Sequence, residues 1–210
     1  IYTIDSERRI ALEYYQNTII HFFVPRALIA AGLLVDMDQW VDIARLNDRV
    51  QQLSRVFKHE FIYRTDATFD QIFEDALHEM VEAGEIEVRE GYAQATEGAM
   101  RHRLERYAVM LQTFFESYLL ALRGAEIVLD GPIPKKDWYK RTLALGQQMY
   151  LAGEIERRES LSKLKLETAL KALQDYKLVR LDDDILERGE GVEGVSDLHD
   201  LEPKLTGFLR

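Results

Sequence analysis

The stretch Tyr14–Ala27, YYQNTIIHFFVPRA, constrains this chain more than any other feature. Two tyrosines, an asparagine and a histidine sit in an aromatic-rich apolar run whose one charged side chain is Arg26. Polar groups held in so much apolar surface must be hydrogen-bonded or they cost stability. Spacing of three to four residues places Ile10, Tyr14, Asn17, His21 and Val24 on one ridge of a helix. Asp5 or Ser6 can cap that helix, which runs to about Val24. Ile19, Ile20, Phe22 and Phe23 fall elsewhere on the cylinder, so the helix reads as buried on all sides. Pro25 breaks or kinks it, and Arg26–Leu34 continues as a second short helix. Reading Ile10–Leu34 as a membrane span fails. A span needs about 20 predominantly apolar residues, and Glu13, Gln16, Asn17, His21, Pro25 and Arg26 interrupt this one.

Charge and composition remove whole classes of function. The chain has 37 acidic against 27 basic residues, a net charge of −10, so it repels phosphate backbones and no nucleic-acid partner is expected. It has no cysteine, which excludes disulfides, zinc–thiolate sites and cysteine nucleophiles and fits a reducing compartment. The first residues lack the charged-then-apolar order of a signal peptide. Because the sequence begins at Ile1, it reads as a piece of a longer protein.

The remaining pattern is helical. Asp36 or Asp38 starts a helix whose Ile43, Leu46, Val50, Leu53 and Phe57 form an amphipathic stripe. Thr68 and Gln71 make a capping box for a helix over Phe69–Ala83, which Gly84 ends. Glu85–Val88 and Tyr92–Ala95 read as a β-hairpin around Gly91. A long helix is expected from about Glu97 to Arg123. Asp130–Pro134 is the clearest linker. Further helices are expected over Asp137–Ala152 and from Ser160 or Ser162 to Tyr176, then a strand over Leu178–Leu181. Arg188–Gly194 reads as a mobile acidic segment and Leu198–Leu209 as a closing helix. At an offset of 93, Val50 aligns with Leu143, Phe57 with Tyr150, Phe73 with Leu166, and Ile86 with Val179. Leu53 against Gly146 and Ile72 against Lys165 break this faint repeat. Each half has the outline of a winged helix. The expected fold class is mainly α, a helical bundle with one or two winged-helix-like units carrying short β-hairpins. The expected division is a helical part with the first unit over residues 1–129 and a second unit over 135–210, or one compact domain.

Winged helices often bind DNA, but Asp70, Glu74, Asp75, Glu79 and Glu82 on the candidate recognition helix oppose it. Catalytic motifs are missing too. His78-Glu79-Met80-Val81-Glu82 opens like the zinc-protease motif but has Glu82 where the second histidine must stand. Asp75-x-x-His78 is half of a carboxylate di-iron motif without its mate. No phosphate-binding glycine loop and no nucleophile elbow occurs. No metal or cofactor site is expected. Of the five histidines, only His21 is surrounded by apolar residues, and a hydrogen bond to Asn17 would satisfy both.

The block Tyr15-x-Asn17-x-x-x-His21-x-Phe23 followed by Ala27, with Glu60-Phe61-Ile62-Tyr63-Arg64 further on, resembles the glycerol-3-phosphate and dihydroxyacetone-phosphate acyltransferases. The similarity is to the region C-terminal to their catalytic domain. It implies acyl transfer from acyl-CoA or acyl carrier protein to glycerol 3-phosphate by the parent enzyme, at the start of phospholipid synthesis. It also implies peripheral association with the cytoplasmic side of the membrane. The family's catalytic signature is His-x-x-x-x-Asp, a general base and the group that orients it. The fifth residue after each histidine here is Arg26, Arg64, Ala83, Tyr107 or Lys204, never Asp. The family's Phe-Pro-Glu-Gly block is absent as well. The chain is therefore expected to be a non-catalytic accessory region. It would pack against or modulate the acyltransferase domain of the same parent chain, with Tyr15, Asn17, His21, Phe22, Phe23 and Arg64 as interdomain or core-structural residues. The competing reading is a stand-alone helical regulatory protein, a winged-helix ligand or DNA binder.

Overall fold

The computed structural model describes residues 19–36, 39–61, 63 and 65–199. The expected caps at Asp5, Ser6 and Asp38, the Asn17–His21 bond, and most of the closing helix fall outside these residues. The chain forms two compact units, one from residues 1–51 and 61–111, the other from 52–60 and 112–210. The secondary structure is mainly α with two three-stranded antiparallel sheets among the described residues. Asp130–Pro134 lies inside the second unit.

In the first unit a tight turn over Ile20–Phe22 leads into α1 (Val24–Leu34). Pro25 was expected to end a helix; instead it stands in the first turn of α1. There its missing N–H costs nothing and its fixed φ suits the helix. Strand β1 (Val41–Asp42) precedes α2 (Ile43–Val56), whose last residues belong to the second unit. Asp36 does not cap α2, because the helix starts later. Asp42 does so, its Oδ1 accepting from the Arg45 N–H at 3.0 Å. Helix α3 (Phe69–Glu82) has both capping-box bonds, Gln71 N–H to Thr68 Oγ1 at 3.3 Å and Thr68 N–H to Gln71 Oε1 at 2.9 Å. Gly84 at φ +70° lets the Glu85 N–H bond back to Met80 O at 2.9 Å. The hairpin β2 (Ile86–Arg89) and β3 (Tyr92–Ala95) pairs Val88 with Ala93, and the sheet order is β1-β3-β2. Helix α4 (Ala99–Val109) closes the unit by packing on α1.

The single helix expected over Glu97–Arg123 is two helices, α4 and α5 (Gln112–Ala125). Between them the α-ladder tightens. The Met110 N–H reaches Tyr107 O at 3.1 Å and the Leu111 N–H reaches Ala108 O at 3.0 Å. Leu111 is fully buried at this break. Its apolar stripe runs straight through the two elements, so periodicity alone cannot show that they belong to different units.

The second unit repeats the element order. Helix α5 is followed by β4 (Ile133–Pro134), α6 (Lys135–Ala152), α7 (Lys163–Asp175) and the hairpin β5 (Val179–Asp182) with β6 (Ile185–Arg188). Sheet order is β4-β6-β5. A short helix, α8 (Val195–His199), follows. Within the Arg188–Gly194 stretch, expected to be mobile, two residues are buried. Gly189 lies so close to the Lys177 carbonyl that a Cβ would come within 1.7 Å of its oxygen, and Val192 is buried.

Hydrogen bonds confirm the duplication. The Glu85–Met80 bond recurs as Leu178 N–H to Leu173 O, also 2.9 Å, and Thr96 N–H to Glu85 O recurs as Gly189 N–H to Leu178 O. The uniform offset of 93 needs one correction. It holds for the third helix and hairpin of each unit, but the first two helices are offset by 92. Val50 corresponds to Thr142, not Leu143, because each faces the glycine of its unit's first helix, Gly32 or Gly124. Phe57 corresponds to buried Met149, not to the more exposed Tyr150, and Leu53 meets Leu145. The Ile72–Lys165 mismatch remains. Lys165 is nevertheless buried, with its ammonium 5.2 Å from the Phe114 ring and bonded to Glu159 O.

No helix among the described residues is long and apolar enough to cross a membrane.

Candidate functional site

The two sequence blocks that most constrain the chain meet in the first unit. His21, half-buried in the turn before α1, stands edge-on to Phe61 with ring centres 6.2 Å apart. Phe23 stacks on Tyr107 of α4 at 6.3 Å. Phe22 between them points outward and is 82% exposed, and Ile19, three residues earlier on the same tight turn, is 51% exposed. Tyr15, Asn17 and Arg64 lie outside the described residues. The run is thus not buried on all sides: its turn splits it into an inward pair and an outward apolar pair.

Arg26, which sequence reasoning treated only as an interruption, organises the polar side of this motif. Its Nη2 donates to Glu79 Oε2 of α3 at 2.7 Å and its Nη1 reaches the Tyr107 hydroxyl at 3.5 Å. The Glu79 bond, then the Tyr107 bond, hold the guanidinium above its ordinary pKa. Tyr107 in turn donates to Glu85 Oε1 at 3.2 Å, and Arg103 Nη1 reaches the same oxygen at 3.2 Å. Glu85 is completely buried and its Oε2 has no partner. A buried carboxylate held this way fixes geometry at a cost in stability. One signal in the sequence could have found it. Glu85 follows the helix-ending glycine at a place where the second unit has Leu178, so the repeat substitutes a carboxylate for an apolar side chain.

In the second unit the Glu60–Arg64 phrase contributes its first residue. Glu60 accepts from the Thr168 hydroxyl. Burial lifts its carboxyl above the usual range, opposed by the Thr168 bond, the Lys165 charge and the Tyr118 hydroxyl. Beside it, Asp175 receives Lys58 Nζ at 2.8 Å and His59 Nε2 at 2.5 Å. The Lys58 bond chiefly, with His59 assisting against burial, lowers the Asp175 carboxyl. The chain passes from the second unit to the first between Glu60 and Phe61. The motif therefore marks a crossover, with a half-buried carboxylate on one side and a buried ring on the other. Tyr63 follows with a buried hydroxyl that has no partner, and burial pushes its pKa up.

A second buried carboxylate, Glu116 on α5, escaped sequence reasoning. Its Oε1 accepts from Gln112 Nε2 at 3.0 Å and the Glu156 N–H at 3.1 Å. Its Oε2 accepts from the Arg157 N–H at 3.0 Å and Ser160 Oγ at 2.6 Å. Three of the four donors, the Glu156 and Arg157 N–H groups and Ser160 Oγ, sit on the loop between α6 and α7, so this carboxylate fastens that loop.

These groups bind and position; they do not assemble a nucleophile with its base. His78 and Glu82, which spoil the zinc motif, lie exposed on α3 with 3.3 Å between Nε2 and Oε1. Among the described residues no three His, Asp or Glu side chains are placed to hold a metal ion. The described network instead joins α1, α3 and α4 through Arg26 and leaves Phe22 and Ile19 facing out. Comparison with protein families gives a match to the glycerol-3-phosphate acyltransferase C-terminal region over residues 1–182. That span covers both motif blocks, the whole first unit and most of the second. With most of its length accounted for in this way, the chain belongs to the family of glycerol-3-phosphate acyltransferase C-terminal regions.

Proposed function

We propose that this chain is the non-catalytic accessory part of a glycerol-3-phosphate acyltransferase. It packs against, and through that contact modulates, the acyltransferase domain of the same polypeptide. The observation that carries this reading is the pairing of the family match over residues 1–182 with histidines none of which is followed by Asp at the fifth position. The general base for the glycerol 3-phosphate hydroxyl then belongs to the partner domain, which also meets acyl-CoA or acyl carrier protein. Two winged-helix-like units, each with its short strand beside the hairpin, serve as packing modules. Five acidic residues on α3 argue against a DNA-facing use of the first. The polypeptide associates peripherally with the cytoplasmic side of the membrane through the acyltransferase domain.

Phe22 and Ile19 are the contact surface in this reading. Arg26, clamped to Glu79 and Tyr107, holds the turn that presents them. Phe22→Asp in a polypeptide carrying both domains tests it, since a charge placed in a packed interface is expensive. The expected result is a loss of acyltransferase activity with new protease sensitivity, while the 210-residue chain alone melts as before. Unchanged activity and unchanged proteolysis of the two-domain variant would remove this surface from the account.

A further inference from the structure

The duplicated units carry opposite charge on equivalent helices. Helix α3 has Asp70, Glu74, Asp75, Glu79 and Glu82 and no lysine or arginine, whereas α7 opens on Lys163. The contrast can be followed at one spot. In the first unit Asn47 Nδ2 of α2 donates to Asp70 Oδ1 of α3 at 3.4 Å. Their counterparts in the second unit are Tyr139 and Lys163, and the Lys163 ammonium lies 5.4 Å from the Tyr139 ring centre. Lys135, one turn earlier on α6, brings a second ammonium to 5.9 Å from the same centre.

Two ammonium groups thus lie within 6 Å of the centre of one aromatic ring. Among the described residues neither has a carboxylate partner, although Lys58, Arg26 and Arg103 each have one. The ring quadrupole compensates two such charges only in part; an anion reached by both side chains would satisfy them. The floor is rigid. Tyr139 is 6% exposed, and Trp138, fully buried, stands edge-on to it at 5.1 Å. The Tyr139 hydroxyl is buried without a partner. Burial, with the Glu167 charge second, raises the phenol to about 12, so it stays protonated. Leu164, next to Lys163, is 72% exposed. It offers an apolar neighbour to any ligand with an apolar part.

We propose that Lys135 and Lys163, set over the Tyr139 ring, form a binding site for a phosphate group, carried on a soluble phosphate monoester or on a phospholipid headgroup. The site is independent of the contact surface proposed above and lies wholly within the second unit.

The test uses the 210-residue chain. One arm titrates inorganic phosphate and glycerol phosphate by calorimetry. The other floats the protein with vesicles of equal parts phosphatidylglycerol and phosphatidylcholine, against phosphatidylcholine alone. Binding in the first arm identifies a soluble ester and binding only in the second identifies a headgroup. Lys135→Gln with Lys163→Gln should weaken whichever binding is seen by about tenfold or more, since each charge-assisted bond lost is of that order. Lys140→Gln with Arg141→Gln removes equal charge from α6 and should leave binding within about twofold. Lys135→Arg with Lys163→Arg should retain it. Glu167→Gln, which leaves both lysines in place, should strengthen it. The proposal is overturned by no binding to any probe, by equal losses in the Lys135/Lys163 and Lys140/Arg141 variants, by weaker binding in the Glu167 variant, or by duplex DNA binding more tightly than every other probe.

Discussion

Adding one methyl group to each unit's first helix should have different consequences. Gly32 and Gly124 are equivalent, and each lets the second helix approach closely. An alanine Cβ at Gly32 would meet Leu46 Cδ1 at 2.9 Å, the free end of a flexible side chain, and Val50 Cγ2 at an ordinary 3.6 Å. An alanine Cβ at Gly124 would meet Thr142 Oγ1 at 2.5 Å, Cγ2 at 2.6 Å and Cβ at 3.1 Å. Turning the Thr142 side chain cannot clear all three atoms, because its Cβ is itself too close. Both substitutions gain about 1 kcal/mol of helix propensity. At Gly32 a small shift of Leu46 roughly cancels that gain, so Gly32→Ala should lie within about 0.5 kcal/mol of the parent. At Gly124 overpacking costs about 2–3 kcal/mol, leaving a net loss of about 1–2 kcal/mol. Denaturant melts of Gly124→Ala, Thr142→Ala and the double variant measure it. Thr142→Ala removes two of the three clashing atoms, so the double variant should recover most of the loss and give a coupling of about 1 kcal/mol. A Gly124→Ala protein no less stable than Gly32→Ala, or a double variant without coupling, would refute the close-approach reasoning.

Other perturbations follow from the hydrogen-bonded carboxylates. Glu116→Ala leaves the Glu156 and Arg157 N–H groups and Ser160 Oγ without their acceptor, and should cost about 3 kcal/mol or more. Hydrogen exchange should show those two amides losing protection before the rest of the unit; uniform loss would contradict the loop-fastening role. Glu60 gives a pH signature. Its carboxyl is raised in the folded chain, so between the ordinary carboxylate pKa and the raised one the folded state holds a proton that the unfolded state has released. Its contribution to stability should therefore fall as pH rises through that window, and Glu60→Gln should flatten the fall in unfolding free energy against pH. Asp175 runs the other way. Its lowered carboxyl adds stability above the ordinary carboxylate range that is lost as pH drops through the lowered pKa. Asp175→Asn should remove that acid-side loss, and an identical acid limb in the variant would exclude it.

Local signals were legible where a side chain closes a bond within a few residues. The Thr68–Gln71 box and the turn at Gly84 are of this kind, because their partners are near in sequence. The repeat was visible as faint apolar matches, and its register in the third helices survived. The first helices needed an offset one residue shorter, which only the pairing of Gly32 with Val50 and of Gly124 with Thr142 reveals. Leu111 shows the limit of periodicity: its stripe continues through a break set by which unit each half packs into. The Arg26–Tyr107–Glu85 chain and the Glu116 anchor bring together residues 18 to 81 positions apart. Nothing in local spacing could announce them. Phe22 failed differently. Its neighbours His21 and Phe23 are half-buried, and only the tight Ile20–Phe22 turn in place of a regular helix sends it outward.

The central claim is that this region supports an acyltransferase centre it does not itself contain. Its most direct test is acyl transfer from an acyl thioester to glycerol 3-phosphate, measured for the purified 210-residue chain and for the acyltransferase domain with and without it. The account predicts no turnover by the chain alone, and a partner domain whose activity or stability depends on the chain being attached. Saturable turnover by the isolated chain, or a partner domain indifferent to its removal, would contradict it.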